Sequence, residues 1–234
     1  MPTWLQLTQG PIFYFALAIL ILGLARLVFL SIWGIVTALR RATDRRLPYG
    51  QIFKETLSWL LPFTRIHRIR PFYSVAAFAF HIGIILVALF LQNHIDILHS
   101  NLGLAWPAMP RPVMDILTLV AIIGGLYLLF SRIYVTASRV LSGKMDYLLL
   151  IIILNIFISG FLAGRRWNPI PYDSVMLFHT INGLLLFVLT PFTKIAHCAL
   201  YPLIRLTSEL GWHFTPQGGD DVVKTLYGSE QRKI

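Results

Sequence analysis

The chain has 234 residues, 56% of them hydrophobic and 13% charged, with a mean hydropathy of +0.70. That composition excludes a soluble domain and reads as a polytopic, all-α membrane protein. The net charge of +10 does not mark a nucleic-acid binder, because the basic residues sit at the ends of apolar segments. The single cysteine, Cys198, excludes a disulfide framework or a cysteine-ligated iron–sulfur cluster in this chain.

The opening stretch MPTWLQLTQGP has no Lys or Arg. A cleavable signal peptide carries a basic n-region, so the first apolar run reads as a retained helix. That run, about residues 11–39, starts with Pro11 at a first-turn position and encloses Arg26. A long basic loop, residues 40–71, follows, with Arg40, Arg41, Arg45, Arg46, Lys54, Arg65, Arg68 and Arg70. Inside it, residues 51–62 place Ile52, Leu57, Leu60 and Leu61 at helical spacing, which predicts a short amphipathic helix on the membrane surface. The second span is about residues 72–91, with a continuation toward His94. The third is about 113–137, the fourth about 146–164 and the fifth about 174–203, with Pro191 expected to kink it. Residues 205–234 form a polar tail beyond a membrane domain of residues 1–204, and the tail is either mobile or docked on a partner.

Charge asymmetry orients the bundle. Arg139, Lys144, Arg205, Lys224, Arg232 and Lys233 join the basic loop on one face, against Arg111, Arg165 and Arg166 on the other. The positive-inside rule then puts the N-terminus outside and the C-terminus in the cytoplasm, as an odd number of spans requires. Trp106, Trp167 and Tyr172 suit the outer headgroup layer.

Histidine is rare in a spanning helix, because a polar ring in hydrocarbon needs a partner. The fifth apolar run carries two, His179 and His197, eighteen residues apart. On one continuous helix that is five turns, so both rings would leave the same face roughly 27 Å apart. His81 and His94 lie on the second. Two helices that each offer one histidine to each leaflet can hold two bis-histidine b-type hemes, His81 with His197 on the cytoplasmic side and His94 with His179 on the outer side. One histidine alone would more simply hydrogen-bond a neighbouring helix; four sorted by depth favour heme. His99 competes with His94, since it lies eighteen residues after His81 on the same helical face, whereas His94 lies about 220° around an ideal helix. His94 is preferred because it is closer to the hydrocarbon; a chain with no outer heme is the third alternative. His67 and His213 read as surface residues.

Gly183, one turn after His179, leaves room for a porphyrin to lie flat on the helix. Arg26 either pairs with a heme propionate or snorkels to the interface. Asn155 and Asn182 are expected to hydrogen-bond between helices, and Gly124 and Gly125 to allow close packing.

At these residues the chain resembles the gamma subunit of respiratory nitrate reductase and its relatives, among them the DsrM and HdrE-type cytochrome b subunits. FHIGI around His81, AIIGGLYLLFSRIYVTASRV with the segment from Asp146, and FHTINGLLLFVLTPFTKIAH carry the likeness, which covers all five spans. The resemblance implies a five-helix diheme quinol dehydrogenase in the cytoplasmic membrane of a prokaryote. It implies His81 and His197 as ligands of the cytoplasmic-side heme and His179 as one ligand of the outer heme. The family's second outer ligand lies ten residues after its first, which is Leu91 here, so His94 is assigned by depth. The family's lysine near the quinone pocket has no counterpart, and Arg111 or Asp115 would substitute for it. Implied partners are menaquinol or ubiquinol, membrane lipid and a cytoplasmic iron–sulfur subunit; the long basic loop exceeds the family's and would mark a different partner.

Two other classes fit the composition. One is a heme-free membrane anchor or assembly subunit with structural histidines, and a mono-heme chain lies between it and the diheme reading. The other is a small transporter with a histidine proton relay, for which the sequence offers no inverted repeat or broken helix pair.

Overall fold

The computed structural model describes residues 3–41, 47–60, 69–165, 167–214 and 224–225. His67, Arg45, Arg46, Arg65, Arg68, Arg166 and most of the tail lie outside the described residues, as does the side chain of His213. The described residues are helical and contain no strand. Five helices are long and apolar enough to cross a membrane, at Trp4–Arg41, Pro71–Phe90, Arg111–Tyr134, Lys144–Ala163 and Tyr172–Phe192. They fall on the five apolar runs, which bears out the all-α, five-span reading.

The first of these is two helices in series. α1 (Trp4–Gln9) opens on a capping box in which Thr3 and Gln6 satisfy each other's main-chain N–H groups. After Gly10, α2 (Pro11–Arg41) starts with Pro11 in its first turn, where the missing N–H costs nothing. The amphipathic stretch forms α3 (Tyr49–Leu60), whose Ile52 packs with Leu47 and Leu210 against Ile35 and Leu39.

The second run breaks. α4 (Pro71–Phe90) ends at Leu91, whose extended backbone (φ −74°, ψ 126°) starts α5 (Gln92–Leu102) in a new direction. α6 (Arg111–Tyr134), the short α7 (Thr136–Val140) and α8 (Lys144–Ala163) follow. The fifth run also breaks. α9 (Tyr172–Leu189) passes into two 3-10 turns, Thr190–Phe192 and Lys194–Ala196, before α10 (His197–Phe214). The break centres on Pro191, as expected, and α10 runs through residue 204 without interruption to Phe214.

In hydrocarbon, helices gain little from burying apolar side chains, so close backbone approach between small residues decides which ones pair. α4 lies on α6 in this way. A Cβ added to Gly83 would meet Ala121 Cβ at 2.8 Å and the Leu117 carbonyl at 2.9 Å, and one on Gly124 would meet the Ala76 carbonyl at 3.0 Å. The core between α4, α6 and α8 is built from Phe80, Val87, Met114, Ala121, Leu128, Leu150, Leu154 and Phe157. Packing then runs from α6 to α8, from α8 to α9 and from α9 to α2, so the helices form an arc. No extended packing joins α4 to α9 or α10; His81 of α4 meets His197 of α10 across this gap, and His94 of α5 meets His179 of α9.

Gly83→Val forces Ala121 and the Leu117 carbonyl apart. The expected cost is about 1–3 kcal/mol, the usual range for overpacking, read as a lowered Tm of the detergent-solubilised protein.

Candidate metal centre

The four expected histidines come together as two pairs. His81 on α4 faces His197 at the first position of α10, with ring centroids 5.9 Å apart and planes at 77°. His94 on α5 faces His179 on α9, with centroids 6.2 Å apart and planes at 9°. Two imidazoles that share one metal, with metal–nitrogen bonds of about 2.0–2.1 Å, have their ring centres about 6.3 Å apart. Both pairs sit close to that spacing.

The same ring nitrogen is tied to main chain in all four. His81 Nδ1 donates to the Ala77 carbonyl (2.6 Å) and His197 Nδ1 to the Lys194 carbonyl (2.7 Å). His179 Nδ1 donates to the Ile156 carbonyl on α8 (3.0 Å), with Ser159 Oγ 3.3 Å away. His94 Nδ1 lies 3.1 Å from the Val87 carbonyl and 3.2 Å from that of Ala88. A carbonyl only accepts, so each Nδ1 carries the proton and each Nε2 keeps its lone pair. This is the tautomer of a metal-ligating histidine, with the orienting hydrogen bond already made.

The pair at His94 depends on the break at Leu91. The last four carbonyls of a helix have no intrahelical partner. At the end of α4 the Val87 carbonyl, which accepts the Leu91 N–H (3.3 Å), and that of Ala88 face His94 Nδ1, that of Leu89 accepts the Trp106 indole N–H (2.7 Å), and that of Phe90 accepts the Met109 N–H (3.0 Å). The break therefore aims the His94 ring and also supplies the acceptors that hold it. On an unbroken helix His94 would point away from His81's face; the new axis of α5 removes that mismatch. His99, the competing residue, lies later on α5, is exposed and forms no ring pair among the described residues.

His179 depends on a glycine that no sequence pattern singles out. A Cβ on Gly160 of α8 would lie 2.8 Å from His179 Cε1 and 3.1 Å from its Nδ1. A glycine facing a histidine one helix away leaves no local mark in the sequence. Gly183 faces open space, with nothing within 4 Å of an added Cβ.

The remaining expected residues have these contacts. Arg111 donates to the Gly164 carbonyl at the end of α8 (3.0 Å), and Asp115 pairs with Arg165 (3.0 Å), so both are engaged in fastening α6 to α8. Arg26 is exposed on α2, with no hydrogen bond or ion pair among the described residues. Asn182 does not reach another helix; its amide donates to the Phe178 carbonyl one turn back in α9 (2.8 Å). The Asn155 side chain makes no hydrogen bond among the described residues. The interhelical bonds expected of these two asparagines are therefore absent there. Trp106, expected at the headgroup layer, uses its indole on α4. The spans contain broken helices, one at Leu91, which no residue type marks in the sequence, and one across residues 190–196, where Pro191 predicts it, and each of these breaks lies beside a paired histidine.

A bare metal ion in a protein site takes three or four protein ligands. No group of three or more His, Cys, Asp or Glu is present among the described residues. Two imidazoles with free Nε2 atoms, placed across a gap between helices, fit a metal that brings its own equatorial nitrogens, as heme does.

No protein-family model matches the chain, and no solved structure matches it significantly. A protein of Nitratidesulfovibrio vulgaris, whose name states no function, is 36% identical over 214 residues, covering 90% of this chain and 93% of its own. The HdrE-type subunit of the dihydromethanophenazine:CoB–CoM heterodisulfide reductase of Methanosarcina barkeri is 30% identical over 129 residues, covering 48% of this chain and 49% of its own. This chain thus aligns with about half the length of that relative.

Gly160→Val drives a side chain into the His179 ring. Loss of an orienting contact of this kind typically costs about 10–100-fold in metal affinity. The heme content of the purified variant is expected to fall by the share bound at His94 and His179, with the share at His81 and His197 retained.

Proposed function

The chain belongs to one family with the Nitratidesulfovibrio vulgaris protein, and we infer that it is a membrane cytochrome b subunit of a respiratory oxidoreductase complex. In this reading it passes electrons between a membrane quinol or quinone and a partner iron–sulfur subunit, and holds two bis-histidine b hemes. The observation that carries the reading is the shared state of four imidazoles: paired at 5.9 and 6.2 Å, each with Nδ1 on a carbonyl and Nε2 free. Similarity to a heterodisulfide reductase subunit of the HdrE type supports the oxidoreductase setting. A structural histidine of an anchor protein spends its ring on bridging helices, and one such histidine is common; four with the ligating tautomer are hard to account for that way.

Heme between two imidazoles supplies reversible one-electron transfer at an iron with no open coordination position. The chain supplies the rest. His81 and His197 would hold one group, His94 and His179 the other. The main-chain carbonyls keep the four rings from rotating and raise the basicity of Nε2. The open surface at Gly183 admits a flat macrocycle beside His179. Arg26, with no ion-pair partner among the described residues, offers a cation to a propionate. The basic loop and α3 would face the cytoplasm, where the iron–sulfur partner docks, and the end with His94 and His179 would lie outside, nearer the quinol.

The test is a dithionite-minus-oxidised spectrum with a pyridine hemochrome count on the purified chain. Two b hemes per chain are expected, falling to one in His81→Ala or His197→Ala and likewise in His94→Ala or His179→Ala. Full heme content in a His81→Ala, His197→Ala double variant would remove the assignment. Gly183→Leu, which fills open space, is expected to lower heme retention while leaving the stability of the heme-free protein within about 1 kcal/mol of wild type, as for a surface substitution.

A further inference from the structure

The two 3-10 turns before His197 lack the regular i→i−4 bonds of a helix, and the carbonyl that orients the His197 ring also accepts the main-chain N–H of His197 itself. That carbonyl belongs to Lys194, which accepts the His197 Nδ1–H at 2.7 Å. The side chain of the same residue reaches α8, where its Nζ lies 2.8 Å from Asp146 Oδ2. Asp146 is itself immobilised. Its carboxylate accepts the Gly143 N–H (2.8 Å), its main-chain carbonyl accepts Arg132 Nη1 from the end of α6 (2.6 Å), and Tyr147 Oη donates back to the Arg132 carbonyl (2.7 Å). Lys194 thus ties a rigid node of α6 and α8 by its side chain to an imidazole by its main chain.

The Lys194 side chain is 70% exposed and that of Asp146 13%. An ion pair with one such exposed partner adds little to stability. It ties down the side chain of the residue whose carbonyl orients the His197 ring, and the angle and basicity of such a ring are the quantities by which an orienting hydrogen bond tunes a metal ligand.

We propose that the Asp146–Lys194 ion pair is a positioning latch for His197, which sets the redox poise of the His81–His197 site and leaves the His94–His179 site alone. The proposal rests on the heme reading above. Asp146 and Lys194 are positioning residues; neither is assigned to touch the bound group.

The experiment is a redox titration and low-temperature EPR spectrum of the full-length, heme-loaded chain as wild type, Lys194→Met and Lys194→Arg. Methionine keeps the length and the main-chain carbonyl but removes the charge. Both hemes are expected to remain bound in Lys194→Met. One component should shift its reduction equilibrium about tenfold, which is about 59 mV for one electron, with a change in its low-field EPR signal. It should be the component missing from His197→Ala, and Lys194→Arg should restore it. If neither component moves, or if the one that moves survives in His197→Ala, the latch is overturned while the heme reading stands. A wild-type chain that binds no heme overturns both.

Discussion

An imidazole can offer Nε2 to a metal only if its proton stays on Nδ1, and in an apolar interior that proton needs an acceptor. Regular helices consume their own carbonyls, so acceptors are scarce where these four rings lie. The protein finds one for each ring by one of three routes. His81 shares the carbonyl of Ala77 one turn back in the same helix. His179 borrows the Ile156 carbonyl from α8, which approaches closely because Gly160 has no side chain. His94 and His197 sit beside breaks in their helices and use main-chain carbonyls there. Unpaired polar groups at such breaks are costly in hydrocarbon, and here the ends are accounted for by rings, an indole and a returning N–H.

The arrangement of the helices serves the same constraint. Glycines and alanines draw α4 onto α6, and α6, α8, α9 and α2 continue the arc. The arc leaves α4 and α9 facing without extended contact. A bundle with tight four-sided packing would close that space; here α4 meets α10 through the His81–His197 ring pair, while α5 meets α9 through His94 and His179 and through Ile97 and Leu98 packed with Leu184. Arg111 on Gly164 and Asp115 on Arg165 hold α6 to the far end of α8, so the frame around the gap is fastened by polar contacts outside it.

Much of the site was legible in the residues and some was not. The apolar runs placed the spans, and depth alone sorted the four histidines into the two pairs that the structure brings together. Five even turns between His179 and His197 are an incomplete reason for their alignment, because two 3-10 turns interrupt the helix. His197 still faces His81 across the gap. Arg111 and Asp115 stand at a helix mouth, and a charge at that place is suited to the exposed carbonyls of a neighbouring helix end, where Arg111 donates to Gly164. An asparagine in an apolar run suggests an interhelical bond, yet the helix of Asn182 offers a carbonyl one turn back at no cost in reach. Gly160 was invisible, because what makes it matter is a ring on another helix.

The amino-acid sequence by itself determined the number of spans, the helical class and which histidines could share a leaflet, because these follow from run length and from rise per residue. It also marked the break at Pro191, since a ring without an N–H cannot continue a helix. Only the tertiary structure shows that His94, and not His99, brings its ring to His179. The direction of His94 depends on the break at Leu91, where no proline or glycine stands, and the groups that accept or satisfy that break, Trp106 and Met109, come from a later segment of the chain. A helix end in an apolar medium forms where partners exist for its carbonyls, and partners brought by folding are not written in the local sequence.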